Sequence, residues 1–424
     1  MGINTTMKNR LLLLLFLASP VFAQYPPTNQ PTQSVMVFSG NGRMAGSSSN
    51  FFLNSIAVAN VWDFGAYGNG LTDDTAAIQA AIYSGAGTVY FPPATFLYSS
   101  LTITNAVIIK GSGALSTALR TTGPTGNAIT VSTTQPVIFE DILLGGTNVS
   151  QSGGALVLFQ TGTSTYNQFS EFHNVYFQAP YIGADFETAC TWLMDKMCVF
   201  VGYGYAGVKV VNTVVPDCGD SEISGNCVFN GQTNNSMAIY QLSSGGLKIH
   251  GNKFLGGAYH YYLAANSAAS GTGIMMFQDN SSEAASVDNI YLSAVSGSSW
   301  NNVLIQDNQF SVTGSNAIFV ADNGSIGWLD NTAIGGNDFK MSSTTNGGIT
   351  LAGGQRYTIY PNHFISEGGS FSTGITISSN AISGTIYPQA MFGLSTNFVG
   401  DYTNWTWMTF TKGSNTPPNA YTLP

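Results

Sequence analysis

The chain repeats a short pattern of apolar and polar positions, Ile-x-x-Asn-x-Phe, in which an isoleucine and a phenylalanine flank one asparagine. Alternation of this kind predicts short strands with one buried face. The clear copies are Ile249–Phe254, Ile305–Phe310, Ile334–Phe339 and Ile359–Phe364. Looser copies are Ile223–Phe229 with Asn226, Phe172–Phe177 with Asn174, and Ile138–Leu143, which has Asp141 in the asparagine position.

The asparagines recur at a nearly constant interval. Asn226 and Asn252 are 26 residues apart, and the interval of 56 from Asn252 to Asn308 equals two steps of 28. The next intervals are 29 to Asn337 and 25 to Asn362. A step of this length indicates a solenoid. We predict a parallel β-helix in which the Ile and Phe side chains fill the interior. Each Asn is expected to hydrogen-bond to its counterpart one coil away.

A different pattern occupies Asp63–Ile82. A Gly-punctuated turn leads into Thr72-Asp73-Asp74-Thr75 and then into an Ala/Ile-rich segment with apolar residues four apart. Thr72 or Asp73 can accept hydrogen bonds from the first free N–H groups of a helix. A helix is therefore predicted to begin at this point.

The stretch Asp63–Ile82 resembles the N-terminal signature of the pectate-lyase-like superfamily, and Gly87–Pro93, a strand followed by proline, extends the resemblance. The superfamily includes pectate lyases, polygalacturonase-like hydrolases, β-helical glucanases and phage tailspikes. The resemblance implies an all-β, right-handed parallel β-helix with an N-terminal capping helix, and a carbohydrate substrate. The Gly-His-Gly and Arg-Ile-Lys motifs of polygalacturonases are absent from the sequence. No catalytic residue is therefore carried over from the superfamily.

The N-terminal 23 residues have the pattern of a secretory signal, with basic residues before the apolar run Leu11–Leu17 and small residues at Val21–Ala23. We predict a secreted protein, extracellular or periplasmic, with no membrane contact after cleavage. A retained anchor is the alternative. Residues 24–60 are predicted as a linker and edge segment, 61–391 as the β-helix and 392–424 as a C-terminal capping tail. A trimer-forming tail, and with it a homotrimer, is the alternative for the last segment.

Charge narrows the choice of partners. Lys8 and Arg10 belong to the predicted signal, so 10 of the 12 basic residues remain against 21 acidic ones, a formal charge of −11. Nucleic acid and anionic membranes require clustered basic residues, so neither is an expected partner. A polyuronate binder also gathers cations, so the expected substrate is a neutral or mildly acidic polysaccharide. The sequence implies no cofactor.

All four cysteines lie in one stretch, at Cys190, Cys198, Cys218 and Cys227. An even, clustered set in an exported protein predicts two disulfides. The local pairs Cys190–Cys198 and Cys218–Cys227 are one arrangement, and the two other connectivities stay open. Zinc is the weaker interpretation, because no Cys-x-x-Cys pair exists and only His173 lies shortly before the cluster. We predict no metal site.

Outward side chains on neighbouring coils indicate where chemistry takes place. The isoleucine three positions before the ladder Asn points inward, so positions two and four before it point outward. Glu222 then lies one coil from Lys248, close to His250, with Asp217 and Asp220 in the turn that precedes the strand. We predict that this patch is catalytic.

Two reactions suit the patch. Glycoside hydrolysis needs two carboxyl groups, which its three acidic residues offer. Elimination by a pectate-type lyase needs a base beside a uronate carboxyl, for which Lys248 and His250 are candidates. Hydrolysis is the leading hypothesis and lyase activity the alternative. A non-catalytic glycan-binding or adhesin-like β-helix is a third possibility, with Glu222–Lys248 as a surface salt bridge.

Aromatic residues are the candidate substrate-binding groups, because their faces stack on the C–H surfaces of sugars. The candidates are Trp192, Tyr259, His260 and Tyr261, of which Tyr259 and His260 are also candidate bases for a lyase. Trp192 lies near Asp195 and Lys196, which are predicted to face opposite sides of a strand. The alternative is that these aromatic side chains fill the solenoid interior.

Overall fold

The structure, a computed structural model, describes residues 58–123, 125–147, 152–162, 165–211, 220–231, 235–242, 246–265, 270–271, 274–294, 299–322, 329–341, 347–366, 373–392, 394, 396–400 and 403–407. These residues form a right-handed parallel β-solenoid of about ten turns with very little helix. Strands from successive turns pair in parallel, as in Ser221–Ile223 with Leu247–His250. The all-β parallel β-helix predicted from the repeat is confirmed.

Each turn of the solenoid contributes strands to two long sheets. The larger sheet has 26 strands: Val58–Asn60, Asn69–Asp73, Thr88–Tyr90, Thr95–Tyr98, Val107–Lys110, Ala118–Thr121, Val137–Gly146, Glu171–Gln178, Leu193–Asp195, Val199–Val201, Ser221–Ile223, Val228–Asn230, Leu247–His250, Lys253–Leu255, Ser270–Gly271, Met275–Gln278, Ser281–Glu283, Ser299–Gln306, Gln309–Val312, Leu329–Gly335, Asp338–Met341, Tyr357–Ile359, His363–Ser366, Gly384–Ile386, Ala390–Phe392 and Trp405–Trp407. The second sheet has 12 strands: Leu101–Ile103, Ile129–Val131, Ala155–Phe159, Ile182–Phe186, Ala206–Val210, Met237–Gln241, Tyr259–Ala265, Asp288–Ala294, Asn316–Val320, Gly347–Leu351, Thr373–Ile377 and Thr396–Gly400. Two short strands, Asn167–Gln168 and Ala189–Cys190, form a separate pair, and a 3-10 helix spans Val61–Phe64.

The α-helix spans Thr75–Tyr83 and begins slightly later than expected, with Asp74 as its N-cap residue. The Asp73 carboxylate accepts a hydrogen bond from the Thr75 N–H at 2.9 Å. The Asp74 carboxylate instead accepts from the backbone N–H groups of Tyr67 and Gly68, at 2.6 and 3.1 Å. Asp74 therefore fixes the preceding Gly-rich turn. That the helix caps the first coil stays a prediction.

A ladder of buried asparagines runs along one bend of the solenoid. Its members are Asn252, Asn280, Asn308, Asn337 and Asn362. At every step the backbone N–H of one asparagine donates to the Oδ1 of the asparagine one coil later, at 3.0 Å. Each Nδ2 donates to a backbone carbonyl of the coil before it. Asn280 divides the interval of 56 residues, which confirms the predicted two steps of 28.

Before Asn252 the ladder position is occupied by other residue types. Strand register places Cys227, Cys198, Val175 and Ile142 there, in order toward the N-terminus. The predicted members Asn226, Asn174 and Asp141 each lie one residue earlier, with φ of 63°, 51° and 55°. Gly, Asn and Asp favour this left-handed conformation. The turn therefore explains why Asn or Asp occurs at these positions, and the ladder does not. Their assignment to the ladder was wrong by one position.

Cys198 and Cys227 are free and buried, which contradicts the prediction of two disulfides in the local pairing and in both other connectivities. The Sγ of Cys198 donates to the Phe172 carbonyl at 3.4 Å, and that of Cys227 donates to the Ser224 carbonyl at 3.0 Å. The thiols thus take the place of amide donors. Hydrogen bonding to Cys198, together with burial, raises the pKa of the Cys227 thiol. Cys190 is buried and Cys218 lies outside the described residues, so a disulfide between these two stays a prediction.

The phenylalanines of the repeat stack through the interior, with ring centroids 4.3 to 5.0 Å apart from Phe177 to Phe254. In the next coil Ser282 occupies the phenylalanine position. The ring of His260 fills the space left there and stacks on Phe254 at 5.7 Å. Its Nδ1 lies 2.6 Å from the Ser282 Oγ, and its Nε2 lies 3.0 Å from the Gly256 carbonyl. Burial lowers the pKa of His260 to about 3, so this histidine is a neutral core residue.

Candidate active site

One outward side of the larger sheet carries ionisable side chains on six consecutive coils. Strand register aligns Glu171, Leu193, Glu222 and Lys248 in one column. A second column aligns Lys110, Glu140, His173 and Asp195. Since successive strands are about 4.8 Å apart, side chains of neighbouring coils are within contact distance. We call this surface the charged face; its ionisable members are Lys110, Glu140, Glu171, His173, Asp195, Glu222, Lys248 and His250.

His173 lies at the centre of the charged face between two carboxylates. Its Nε2 is 2.6 Å from the Oε2 of Glu171, and its Nδ1 contacts the Oδ1 of Asp195. Glu171 and His173 share one strand, separated by Phe172, whose buried ring stacks on Phe139 at 5.0 Å. That packing fixes the strand so that both polar side chains point outward. We call Glu171, His173 and Asp195 the triad.

The triad can hold and pass protons. Each ring nitrogen of His173 contacts a carboxylate oxygen, and an imidazole nitrogen can donate or accept a proton at such a contact. The His173 side chain is 10% exposed, whereas that of Glu171 is 36% exposed. A ligand therefore reaches the Glu171 carboxylate directly, and His173 lies behind it as a proton donor or acceptor.

A cation lies on the N-terminal side of the triad. The Lys110 Nζ is 3.0 Å from the Glu140 Oε2 and 4.0 Å from the Asp141 Oδ2. Glu140 is the register neighbour of His173. Lys110 thus adds a partly exposed positive charge to the row of acidic groups, where it can face a substrate carboxylate.

The predicted catalytic patch lies on the C-terminal side of the triad. Glu222 and Lys248 are register partners, as expected, and the His250 Nε2 is 3.1 Å from the Glu222 Oε1. Glu222 contacts His250, and not Lys248 as the alternative of a surface salt bridge expected. Asp220 is exposed at the start of the strand with φ of 62°. Asp217 lies outside the described residues, and the catalytic role of the patch stays a prediction.

Three predicted substrate-binding residues are buried, so their prediction is wrong. Trp192 stacks on Phe186 with centroids 4.0 Å apart, and the Tyr261 hydroxyl donates to the Gln241 Oε1 at 2.9 Å inside the core. His260 is enclosed as described above. These residues fill the solenoid interior, which was the alternative interpretation. Tyr259 is half-buried on the 12-stranded sheet, away from the charged face, and burial raises its pKa. Its sugar-binding role stays a prediction.

The sequence interpretation missed Lys110, Glu140, Glu171 and the role of His173. Counting back from Asn174 places Glu171 at the inward position. Counting back from Val175, which holds the ladder position, places Phe172 inward and both Glu171 and His173 outward. The signal was therefore present in the Glu-Phe-His alternation, but an asparagine of the turn obscured it. Asp195 and Lys196 were considered only as residues near Trp192.

Within the described ranges, no cluster of three or more His, Cys, Asp or Glu side chains is arranged to hold a metal ion. No helix in that part of the chain is long and apolar enough to cross a membrane.

Comparison with known proteins supports the fold. Residues 58–254 match the family described as rhamnogalacturonase A/epimerase, pectate lyase-like. A segment of 73 residues is 45% identical to mannuronan C5-epimerase AlgE5 of Azotobacter vinelandii, a match that covers 14% of this chain and 7% of that protein. The chain thus spans a small fraction of the curated relatives that it matches.

Solved structures resemble the chain over most of its length. The A-module of mannuronan C-5 epimerase AlgE4 from A. vinelandii superposes with a TM-score of 0.63 at 16% identity, covering 83% of this chain and 100% of that one. DFA-IIIase from Arthrobacter chlorophenolicus A6 gives 0.62 at 14% identity, with 85% and 100% covered. The tailspike protein of E. coli bacteriophage HK620 gives 0.56 at 13% identity, with 87% and 80% covered. These matches show that the chain has a right-handed parallel β-helix fold, as the signature at Asp63–Ile82 implies.

Proposed function

We propose that the protein is a secreted enzyme that abstracts a proton from a sugar ring of an acidic polysaccharide, as an epimerase or a lyase does. The observation that supports it best is His173 held between Glu171 and Asp195 on an open face of the solenoid. A general acid–base reaction needs such a group within reach of the substrate proton. The family match and the relatives named mannuronan C5-epimerases support a polyuronate substrate.

In the proposed reaction the exposed Glu171 carboxylate removes the hydrogen from the ring carbon that bears the uronate carboxyl. The C–H bond breaks, its electron pair moves into the carboxyl group, and the proton passes to the enzyme. His173 stabilises the transferred proton and can return one to the substrate. Lys110, which is 41% exposed, lies where it can balance the negative charge that develops on the uronate.

The fate of the electron pair separates the two reaction types. If a proton returns to the opposite side of the same carbon, the product is an epimer. If the bond to the neighbouring glycosidic oxygen breaks, that oxygen takes a proton and an unsaturated sugar forms. Both reactions use the same first step, so the triad serves either.

Hydrolysis of a neutral or mildly acidic polysaccharide is the second candidate. The charged face supports it because Glu171, Asp195 and Glu222 present carboxylates on adjacent coils. A hydrolase needs one carboxyl as acid and another as base or nucleophile. In that case the His250–Glu222 contact at 3.1 Å would orient the acidic member.

The test is incubation of the purified protein with alginate, pectate and a neutral glucan in deuterated water. Deuterium on the ring carbon without new reducing ends indicates epimerisation, and ultraviolet absorbance with reducing ends indicates elimination. Reducing ends alone indicate hydrolysis, which would refute proton abstraction. Inactivity on the whole panel would also refute it.

A variant of His173 and a matched control test whether the activity depends on the triad. His173→Gln is expected to lower the rate by about 10²–10⁴-fold, the usual contribution of general acid–base catalysis. The matched control is His363→Gln, because His363 also pairs with a carboxylate, Asp338, at 3.1 Å, but on a different outward column. Equal rates in the two variants, with unchanged melting temperatures, would remove His173 from the mechanism.

A further inference from the structure

We propose a second glycan-binding site around Arg356, on the same outward side of the larger sheet as the triad but several coils away. The proposal rests on the proposed function, since it concerns how a long polysaccharide is held while the triad acts. The site would bind sugar hydroxyls of the polymer and not the reacting unit.

A surface depression of about 350 Å³ lies at this position. The residues that line it include Asn331, Arg356, Thr358, Thr385, Asn404 and Thr406. Their side chains supply hydroxyls, amides and a guanidinium, which together donate and accept hydrogen bonds. A lining of this kind matches the alternating donors and acceptors of sugar hydroxyls.

Arg356 is held in a fixed orientation over the depression. Its Nε is 2.6 Å from the Asp330 Oδ1, and its Nη2 contacts the Asp330 Oδ2. The Asp330 side chain is buried, whereas that of Arg356 is 68% exposed. Asp330 therefore engages one edge of the guanidinium and leaves the Nη1 group to donate to a ligand. Because the pair is neutral as a whole, hydroxyl groups suit it as partners.

The backbone of Arg356 is also in an uncommon conformation. Its φ is 51°, in the left-handed region that arginine seldom adopts. The two preceding coils have Asn302 and Asn331 with φ of 62° and 52°, and the Asn331 Nδ2 donates to the Asn302 Oδ1 at 2.6 Å. Asparagine tolerates this conformation, whereas arginine rarely adopts it. Arg356 in the third coil is therefore the unusual residue of this column. Strain of this kind persists where the surroundings impose it, and it is frequent at binding sites.

Strand register connects the depression to the triad. The column that contains Glu222 and Lys248 continues through Met276, Leu304 and Ala333 to Thr358. Seven strand-to-strand steps separate Glu171 from Thr358, which is about 34 Å at roughly 4.8 Å per step. The apolar side chains in between offer a floor for the C–H faces of sugar rings. A polysaccharide lying along the solenoid axis would therefore contact both sites.

Two sites that bind the same polymer should raise its affinity above that of short oligosaccharides. Binding at Arg356 raises the effective concentration of the polymer at the triad, while an oligosaccharide too short to reach both sites gains nothing. The second site should therefore affect the KM for polymer and leave the kcat and the affinity for short oligomers unchanged.

The test measures binding of alginate, pectate and the neutral glucan, each as polymer and as trimers, in the His173→Gln background to prevent turnover. Arg356→Ala is expected to weaken polymer binding about tenfold, the effect of losing one charge-assisted hydrogen bond, and to leave trimer binding unchanged. Because Arg356→Ala leaves Asp330 buried without its partner, Arg356→Ala/Asp330→Asn is measured alongside it.

Thr385→Val is a second, isosteric probe that removes one hydroxyl from the depression, and Thr376→Val on the 12-stranded sheet is its matched control. Weaker polymer binding in the Thr385 variant, but not in the control, supports the site. Unchanged polymer binding in the Arg356 and Thr385 variants overturns it, as does an equal loss for trimers and polymer. Selective loss of polymer binding by a protein that turns over no substrate would refute the proposed function and leave the second site standing.

Discussion

Substitution of Asn308 by alanine tests the physical basis of the fold. Asn308 lies in the middle of the ladder, and its side chain makes four hydrogen bonds. Its Oδ1 accepts from the N–H and the Nδ2 of Asn280, at 3.0 and 3.1 Å. Its Nδ2 donates to the Phe277 carbonyl at 2.8 Å and to the Asn337 Oδ1 at 3.0 Å. Alanine removes all four in a fully buried position.

The cost can be estimated from the groups left behind. The Asn280 Nδ2 keeps its bond to the Ile249 carbonyl, and the Asn337 Oδ1 keeps the Asn308 N–H. The Asn280 N–H loses its acceptor, and a buried unsatisfied group costs about 1–3 kcal/mol. The unfilled space and the weakened contacts at Phe277 and Asn337 raise the expected total to about 3–5 kcal/mol. This is a large fraction of the stability of an ordinary domain.

The assay is guanidinium denaturation at neutral pH, read as the shift of the first unfolding midpoint, because repeat arrays can unfold in parts. The control is Asn226→Gly, since Asn226 is exposed, has positive φ and lies outside the buried ladder. The control should change stability by less than about 0.5 kcal/mol, as expected for glycine in a left-handed turn. If Asn308→Ala and Asn226→Gly shift the midpoint equally, the ladder does not stabilise the solenoid as argued.

Two further predictions concern buried groups. The pKa of His260 is lowered to about 3, so the unfolded chain binds its proton more readily, and stability should fall as pH drops from about 6.5. The loss of stability reaches roughly 2–3 kcal/mol by pH 4.5. In thermal melts at acid pH, His260→Gln should remove this dependence of stability on pH, whereas His363→Gln should leave it in place. Cys198 and Cys227 should resist alkylation in the native protein and react after unfolding, as peptide mass spectrometry would show; modification of both thiols without unfolding would contradict their burial.

The architecture followed from the sequence because the solenoid interior repeats in register. The Ile and Phe positions stack on their counterparts, so their identity recurs at every coil and is visible along the chain. Asn280 shows the limit of pattern matching. It belongs to the ladder, yet its coil has Phe277 and Ser282 where the pattern expects Ile and Phe. The constant step located that coil although its residues did not match the motif.

The triad was harder to predict because one residue of register decides which side chains face outward. In every coil from Asp141 to Gly336 the residue before the ladder position has positive φ, and Asn or Asp is favoured there too. Asn174 therefore resembled a ladder residue. Contact between Glu171 and Asp195 through His173 also depends on pairing across coils, which is invisible to local periodicity.

The coils of the charged face differ from the later coils in the residues that occupy the ladder position, and two of them also differ in turn length. The turns Asp195–Cys198 and Ser224–Cys227 contain four residues, whereas His250–Asn252 contains three. In the two coils with four-residue turns, Cys198 and Cys227 occupy the ladder position, whereas Val175 and Ile142 occupy it in coils with three-residue turns. The longer turn begins with Asp195, which faces outward and contacts His173. The triad thus joins Glu171 and His173, on a coil with a three-residue turn, to Asp195, on the first coil with a four-residue turn, and none of these coils carries a ladder asparagine, as expected where function and regular packing impose different demands on a sequence.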